Sequence, residues 1–222
     1  MKRSNTILVA ITLSLGLAQV KAQTVKDIDG NVYNTVKIGT QVWMKENLKV
    51  TKYNNGDPIP TTTPVDLNVT QEESNAKYQW AYDGDESKVK DYGRLYTWHA
   101  IMDNRKVCPA GWHVPNDAEW KVLIDFLGGE DGAGEKLKEK GDAHWDSDMG
   151  ATNESGFTAL PGGYRNASGE FGGIRHEGYW RTSTEYNTYF AWYLAIVSGY
   201  KNISKDYNVY KENGLSVRCI KD

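Results

Sequence analysis

Two cysteines, Cys108 and Cys219, limit what this 222-residue chain can fold into more than any other feature of its sequence. Cys108 opens the stretch CPAGWHVPNDAEW (108–120), which also contains His113. A thiol near an imidazole is the start of several enzyme classes, whereas a disulfide would tie the end of the chain to the segment that precedes a helix. The compartment in which the chain folds decides between the two interpretations.

The first 22 residues have the features of a secretory signal peptide. Lys2 and Arg3 precede an apolar run over residues 7–17, and residues 20–22 provide the small side chains of a cleavage site. The run is well short of the roughly 20 apolar residues that span a membrane, and no later segment approaches that length. We therefore expect one domain over residues 23–222, with no membrane span, in a periplasm or outside the cell.

An oxidising compartment favours a disulfide between Cys108 and Cys219. In the segment LSVRCI (215–220), alternation places Leu215, Val217 and Cys219 on one face, so Cys219 is expected to point inward. The other face would carry Ser216, Arg218 and Ile220. A bond that closes so long a loop would stabilise the fold by about 4 to 5 kcal/mol in the chain-entropy model. Free or catalytic thiols are the alternative.

Charge and composition exclude one class of partner. Without residues 1–22 the chain holds 23 basic and 29 acidic residues, a net charge near −6. Because it has no basic cluster, it offers no electrostatic footprint for nucleic acid, and we exclude nucleic-acid binding. Aromatic residues make up 12% of the chain and glycine 22 of 222 positions, which favours one globular domain of short strands, turns and ordered loops.

Periodicity predicts several elements. The strongest is a helix over residues 116–127, where Asn116 and Glu119 resemble a capping box and Trp120, Leu123, Ile124 and Leu127 repeat at helical spacing. Further helices are predicted within residues 92–102 and 132–140. Strands are predicted within residues 24–60, over 189–197 as a central strand covered on both faces, and over 203–210 and 215–220.

Several long motifs resemble a known family. The segments CPAGWHVPNDAEW (108–120), ATNESGFTALPGGYRN (151–166), GYWRTSTE (178–185) and GLSVRCIKD (214–222) closely resemble the Fibrobacter succinogenes major paralogous domain family, and residues 37–60 and 92–103 resemble it too. One departure is the run Trp180-Arg181-Thr182-Ser183-Thr184, where the family often has Trp-Ser-Ser-Thr.

The resemblance implies a C-type-lectin-like scaffold, similar also to formylglycine-generating sulfatase-modifying enzymes. We therefore expect an α+β fold with short antiparallel sheets, two or three helices and a long ordered loop region. A shared scaffold does not imply a shared activity. The enzyme relatives use a reactive cysteine pair, whereas the two cysteines here occupy positions suited to a cross-link. The sugar-binding motifs of calcium-dependent lectins, such as Glu-Pro-Asn, are absent from this sequence.

Metal ligands are sparse. Two acidic clusters are candidates for calcium, because hard cations prefer several oxygens close together: Asp83, Asp85 and Glu86, and Asp142, Asp146 and Asp148. Solvated acidic loops have the same composition, so we assign no metal ligand. His113 forms a C-x4-H spacing with Cys108, but His99, His144 and His176 provide no second pair. We assign no catalytic residue, and the sequence selects no convergent carboxylate pair.

The segment 141–183 is rich in Gly, Asn, Asp and Trp, and we predict that it is a long ordered loop, which is usually functional. Its candidate ligand-binding residues are aromatic side chains that offer flat faces and polar side chains that offer hydrogen bonds. The aromatic ones are Trp145, Tyr164, Tyr179 and Trp180; the polar ones are Asn153, Glu154, Arg165, Asn166 and Glu170. The alternative is that these rings pack the loop down onto the core.

We therefore expect a secreted, non-enzymatic recognition module that binds a glycan or a cell-surface macromolecule through residues 141–183. One alternative is an enzyme on the same scaffold, which predicts free thiols or a carboxylate pair in a cleft. Another is a structural part of a cell-surface assembly, which predicts an exposed apolar patch or an edge strand that contacts protein. The sequence does not indicate an oligomeric state.

Overall fold

The computed structural model describes residues 23–70, 76–148 and 150–222, so the expected signal peptide lies outside the described residues. The strands are β1 (Thr24–Lys26), β2 (Val32–Ile38), β3 (Gln41–Met44), β4 (Gln79–Trp80), β5 (Leu95–Tyr96), β6 (Trp112–His113), β7 (Gly162–Arg165), β8 (Phe171–Ile174), β9 (Glu177–Glu185), β10 (Phe190–Val197), β11 (Ser204–Tyr210) and β12 (Ile220–Lys221). The α-helices are α1 (Val89–Tyr92), α2 (Trp98–Ile101), α3 (Asp117–Phe126) and α4 (Glu130–Leu137).

The strands form two main sheets. The order in the first is β1-β2-β3-β12-β6, the order in the second is β11-β10-β9-β7-β8, and β4 pairs with β5. The contact between β7 and β9 is parallel, and the other paired strands are antiparallel. The predicted α+β fold with antiparallel sheets is confirmed. The described residues form four α-helices, whereas two or three are expected. Two of the four, α1 and α2, are single turns of four residues each.

Helix α3 confirms the strongest prediction. The Asn116 side chain accepts from the Glu119 backbone N–H and the Glu119 carboxylate accepts from the Asn116 backbone N–H, which completes a capping box. The apolar face of α3 packs into a core shared by both sheets, where the ring centroids of Trp43 and Trp120 lie 4.7 Å apart. Phe157 joins both rings in edge contacts. The predicted helix within residues 132–140 is present as α4.

Cys108 and Cys219 form a disulfide with their Cα atoms 6.0 Å apart, and no free cysteine remains in the described part of the chain. Both residues are buried in a second core with Trp112 and Val217. The inward orientation of Cys219 is confirmed.

Ser216 and Arg218 lie on the other face of residues 215–220, and each is only 1% exposed, so this face is buried too. Of the strand predicted over 215–220, only Ile220 lies in a strand, β12. The segment runs between the two sheets, bonding through the Cys219 carbonyl to Met44 on one side and through Ser216 to Arg181 on the other. Both of its faces are therefore covered.

Residues 92–102 do not form one helix. Helix α1 ends at Tyr92, Gly93 has a φ of 75°, and the short strand β5 separates it from α2. A Cβ at Gly93 would lie 2.6 Å from the Asn47 side chain, so the chain turns where only glycine fits. The helical spacing of Leu95 and Trp98 is therefore overridden by a local close approach.

The prediction of a continuous loop over residues 141–183 is also wrong in its second half, where β7, β8 and the start of β9 lie. These strands are rich in glycine and lack the alternation that marks a strand. A Cβ at Gly163 would lie 2.3 Å from the Gly172 carbonyl oxygen, so two backbones approach here more closely than a side chain would allow.

Candidate functional site

Three of the candidate ligand-binding side chains are fully buried. Trp145, Arg165 and Trp180 have 0% exposure. The Trp145 indole N–H donates to the Ala159 carbonyl oxygen at 3.0 Å, and that of Trp180 donates to Asn47 Oδ1 at 2.9 Å. These side chains cannot contact a ligand in this fold. The alternative, in which aromatic residues pack the segment onto the core, describes them correctly.

Arg165 holds a neighbouring segment in place. Its guanidinium donates to the carbonyl oxygens of Val65, Leu67 and Asn166, and it lies 4.2 Å from the centroid of the Trp80 ring. A cation stacked on an indole and bonded to backbone carbonyls stabilises the fold without facing solvent. Arg165 therefore anchors residues 65–67 to β7.

The other polar candidates stabilise turns. Asn153 has a φ of 51°, and its side chain bonds to Thr158. Glu154 pairs with Lys136 at 3.3 Å. Asn166 and Glu170 bond to each other across a turn. These bonds account for the Asn, Glu and Thr content of the segment.

Tyr164 and Tyr179 do come together. Their ring centroids lie 5.7 Å apart at 81°, and Tyr193 lies 5.7 Å from Tyr179 at 59°. The three rings border a cavity of about 200 Å³, which we call the tyrosine pocket. Its other lining residues are Glu177, Val209, Asn213 and Leu215. Tyr193 was not among the predicted site residues.

A second aromatic site lies on the surface, outside the predicted segment. The rings of Tyr186 and Tyr207 stack at 3.8 Å and 20°, and Trp192 contacts them edge-on at 5.7 and 5.0 Å. Tyr186 and Tyr207 are 44% and 39% exposed. We call Tyr186, Trp192 and Tyr207 the exposed ring cluster.

The scaffold around the exposed ring cluster is well connected. Lys205 Nζ lies 4.6 Å from the centroid of the Trp192 ring and 2.9 Å from Asp117 Oδ1 at the start of α3. The neighbouring rings of Phe190 and Tyr210 lie 4.7 Å apart and extend the aromatic face along β11, the edge strand of its sheet. The cluster is therefore held in place by Lys205, which contacts α3, and by the pairing of β10 with β11.

The sequence prediction for 189–197 explains why this cluster was missed. Leu194 and Ile196 are fully buried, and Tyr193 and Ala195 cover the opposite face, so the second half of β10 is covered on both sides as predicted. Trp192 is only partly buried, because the pairing of β10 with both neighbours shifts between Ala191 and Tyr193. The one available signal was the mix of aromatic and polar residues over 203–210, which is typical of an exposed strand.

Comparison with known proteins assigns the chain to a family. A family model described as the Fibrobacter succinogenes major domain matches residues 36–221. The chain belongs to this family. The matched range runs from within β2 to β12, so it includes the disulfide, the tyrosine pocket and the exposed ring cluster. No curated protein and no solved structure matches the chain.

In this Fibrobacter succinogenes major domain, His113 lies between two carboxylates. Its Nδ1 is 2.6 Å from Asp222 Oδ1, and its Nε2 is 2.8 Å from Glu119 Oε1. Burial alone would lower the pKa of His113, but the bonds to Asp222 and Glu119 outweigh it and raise the pKa. Because its two ring nitrogens bond to Asp222 and Glu119, His113 links the residue after β12 to α3, and neither nitrogen is free for a metal in this arrangement.

A cavity of about 330 Å³ lies beside His113 and the disulfide of this Fibrobacter succinogenes major domain. Much of its wall is apolar or backbone, including Ile101, Val107, Trp112 and Val114. The buried cysteines there are joined to each other and do not titrate. The free-thiol form of the enzyme alternative is therefore contradicted.

Five of the six side chains in the two acidic clusters bond to basic groups or to backbone; Asp142 is the sixth. Asp83 lies 3.5 Å and Asp85 3.9 Å from Lys88 Nζ, and Glu86 pairs with Arg94. Asp146 pairs with Arg175, and Asp148 accepts from the backbone N–H groups of Gly141 and Gly150.

Across the described ranges, no group of three or more His, Cys, Asp or Glu side chains is arranged to hold a metal ion. Nor does any helix within those ranges have the length and apolar character to cross a membrane.

Proposed function

We propose that this chain is a recognition domain that acts outside the cytoplasm and binds a glycan through the exposed ring cluster. The carrying observation is the contact of Tyr186, Trp192 and Tyr207 at the surface. A sugar ring has faces of C–H bonds that are apolar and slightly positive, and such a face packs well against the negative face of an aromatic ring. A large exposed cluster of aromatic side chains is typical of a binding site, whereas single exposed aromatic residues are common on any protein surface.

The cluster is preorganised. The Tyr186 and Tyr207 rings stack at 3.8 Å, and the interaction with the Tyr207 side chain raises the pKa of Tyr186. Tyrosine and tryptophan offer large contact areas and lose little conformational entropy on binding, and rings already fixed by each other lose less. The Lys205–Asp117 pair lies beside the Trp192 ring and can bond to sugar hydroxyls.

Two finer features belong to this proposal. The disulfide suits an oxidising compartment, as expected for a secreted protein. The α+β architecture, with β12 inside the first sheet and the residues before it bonded to the second, suits the C-type-lectin-like scaffold that the family resemblance implies. We do not include a calcium-bridged sugar in the proposal, because five of the six acidic side chains of the two clusters already bond to basic side chains or backbone N–H groups.

A structural role in a cell-surface assembly is the second candidate. It is favoured by the position of β11 as an edge strand, with unpaired backbone groups along one side and Tyr210 52% exposed. Edge strands recruit further strands from other chains when nothing covers them. The two candidates differ in the partner, which is a glycan in the first and a polypeptide in the second.

Affinity electrophoresis of the mature chain in gels that contain soluble polysaccharides would test the glycan proposal, followed by calorimetry with the best ligand. Trp192→Ala and Tyr207→Ala should each weaken binding by about 10-fold or more, as expected for aromatic residues at the centre of a binding site. Tyr200→Ala is the matched control, because Tyr200 is 62% exposed in the turn between β10 and β11 and lies outside the cluster.

An equal loss in all three variants, or no loss in Trp192→Ala, would contradict glycan binding by the cluster. If instead Trp192→Ala abolished self-association or binding to a surface protein while no polysaccharide retarded the native chain, the assembly role would replace it. Thermal unfolding of each variant would check that the fold is retained.

A further inference from the structure

The opposite face of the same sheet carries a site with different chemistry. Trp192 belongs to the exposed ring cluster, whereas its neighbour Tyr193 packs with Leu215 and Ala195 in a separate small core. We propose that the tyrosine pocket on this face binds a methylated ammonium group, as found in choline. This inference goes beyond glycan recognition and does not depend on it.

The rings of the pocket form walls at steep angles. Tyr164 on β7, Tyr179 on β9 and Tyr193 on β10 follow one another across the sheet, with successive interplanar angles of 81° and 59°. Val209 and Leu215 complete an apolar lining around a cavity of about 200 Å³. Aromatic walls that meet at steep angles present several π faces to one volume, and a cation held among them gains attraction from each ring.

The charge of the lining selects a cation. Glu177 is the one residue with an ionisable carboxyl or amino group among the seven that line the pocket, and none of them is basic. Asp206 adds a second negative group that acts on Tyr193. Arg181 also acts on Tyr193, but it is fully buried and donates to the carbonyl oxygens of Tyr210 and Asn213. An anionic ligand would have no partner in this lining.

Tyr179 and Tyr193 keep neutral rings at physiological pH, because the pKa of each is raised. Burial, followed by the charge of Glu177 and a hydrogen bond to it, raises the pKa of Tyr179. Burial, followed by Asp206, raises the pKa of Tyr193 to about 12. The Tyr193 hydroxyl donates to Asn208 Oδ1 at 2.9 Å, so the phenol is held by its polar end and its ring faces the pocket.

Two glycines on β8 leave room for the walls. A Cβ at Gly172 would lie 2.8 Å from the Tyr164 hydroxyl oxygen, and a Cβ at Gly173 would lie 2.6 Å from Glu177 Oε2. Contacts this short do not occur for real Cβ atoms, so larger residues would displace the ring and the carboxylate. The Gly-Gly pair after Phe171 therefore shapes the pocket.

Hydrogen-bond capacity distinguishes a methylated ammonium from a primary one. A primary ammonium has three N–H donors that each need an acceptor. Besides the phenol oxygens, the side-chain acceptors in this lining are those of Glu177 and Asn213, and Asn213 Oδ1 already accepts from the Ala167 backbone N–H at 2.9 Å. A quaternary ammonium has no N–H group and needs only rings and negative charge around it. The pocket provides those two features and few acceptors.

The test is a titration of the full mature chain, followed by NMR or calorimetry, with choline chloride and with 3,3-dimethylbutan-1-ol. The alcohol has the shape of choline but a carbon in place of the charged nitrogen. Choline should bind at least about 10-fold more tightly than the alcohol, because only the cation gains from the rings and Glu177. Equal binding of the two, or no binding of choline, would overturn the proposal.

Variants then assign the contacts. Tyr164→Phe should keep choline affinity within about twofold, since the ring and not the hydroxyl binds, whereas Tyr164→Leu should weaken it about 10-fold. Glu177→Gln should weaken it several-fold at unchanged shape. If Tyr164→Leu failed to fold, Glu177→Gln and the neutral alcohol would still decide the question. Retained choline affinity in both Tyr164→Leu and Glu177→Gln would contradict the assignment.

Discussion

Single buried residues carry an unusual share of this fold. Arg218 is 1% exposed, and its guanidinium bonds to the Asn47 side chain and to the Phe157 carbonyl oxygen. It also lies 4.1 Å from the centroid of the Phe157 ring. Burial lowers the pKa of Arg218, so the protein must provide acceptors where water would have done so. Asn47 meets this need, because its Oδ1 accepts from both Arg218 and Trp180.

Asn47→Ala should therefore destabilise the domain strongly. The change would leave the buried donors of Arg218 and Trp180 without their shared acceptor, and we expect a loss of about 3 kcal/mol or more in the free energy of unfolding. Chemical denaturation would measure it. Asn55→Ala is the control, because Asn55 is exposed and its side chain bonds only to Asp57, so a change within about 0.5 kcal/mol is expected.

For single residues, the sequence indicates which side chains are present but not which of them come into contact in the fold. The disulfide followed from two cysteines and an expected compartment. Tyr164 and Tyr179 are candidate ligand-binding residues from the sequence alone, but their convergence with Tyr193 depends on the order of β7, β9 and β10 in the sheet. Alternation separates Arg218 from Cys219 but does not show that both sides of residues 215–220 are buried, since that depends on the two sheets on either side.

Among the elements, helix α3 is connected to the end of the chain through side chains. Its capping residue Glu119 bonds to Asn116 through one carboxylate oxygen and to His113 through the other. His113 in turn contacts Asp222, next to β12. The helix cap, His113 and the C-terminal residue Asp222 are therefore joined by a continuous series of hydrogen bonds.

The bonds of His113 to Glu119 and Asp222 should make the stability of the domain depend on pH. The pKa of His113 is raised above its ordinary value of 6.5 in the fold, so the extra stability is fully present below pH 6.5 and is lost as pH rises through the higher folded-state pKa. The melting temperature of the native chain should thus fall more than that of His113→Gln between about pH 6 and 8. Parallel curves for the two proteins would show that His113 does not contribute in this way.

The cap itself gives a second prediction for α3. Asn116→Ala removes the acceptor for the Glu119 backbone N–H and should cost about 1 kcal/mol in the free energy of unfolding. Asn116→Asp, which keeps an acceptor at the helix N-terminus, should cost much less. Similar losses in both variants would mean that the side chain acts through contacts other than the cap.

The sequence predicted α3 and α4 well because a helix has a local period and local end signals. It predicted β7 and β8 poorly, because glycine provides no period and these strands exist through close backbone approach to distant partners. The exposed ring cluster was missed for a related reason, since a register shift within β10 decides that Trp192 reaches the surface.

For the whole molecule, the disulfide joins the two halves of the chain. Cys108 and Cys219 are 111 residues apart, and their bond lies in the core between α2 and the first sheet. The double change Cys108→Ser and Cys219→Ser should lower the free energy of unfolding by about 4 to 5 kcal/mol through the larger entropy of the unfolded chain. Denaturation of native and reduced protein would measure the same difference. A loss below about 1 kcal/mol would show that the cores alone hold the halves together.

The two proposed sites use opposite faces of one sheet and require different ligands. The exposed ring cluster is open and offers stacking for a sugar chain, whereas the tyrosine pocket is small and suits one cationic group. A single rigid sheet fixes both, so neither needs a moving loop to form. Recognition by a preformed aromatic surface is the central claim.

The most direct test of that claim is NMR mapping of the aromatic side chains during titration with the polysaccharide that binds best. If the exposed ring cluster binds the glycan, the largest chemical-shift changes will occur at Tyr186, Trp192 and Tyr207, with small changes at Tyr200 and in the tyrosine pocket. Largest changes in the tyrosine pocket, in the disulfide cavity or at residues far from β10 and β11 would contradict it.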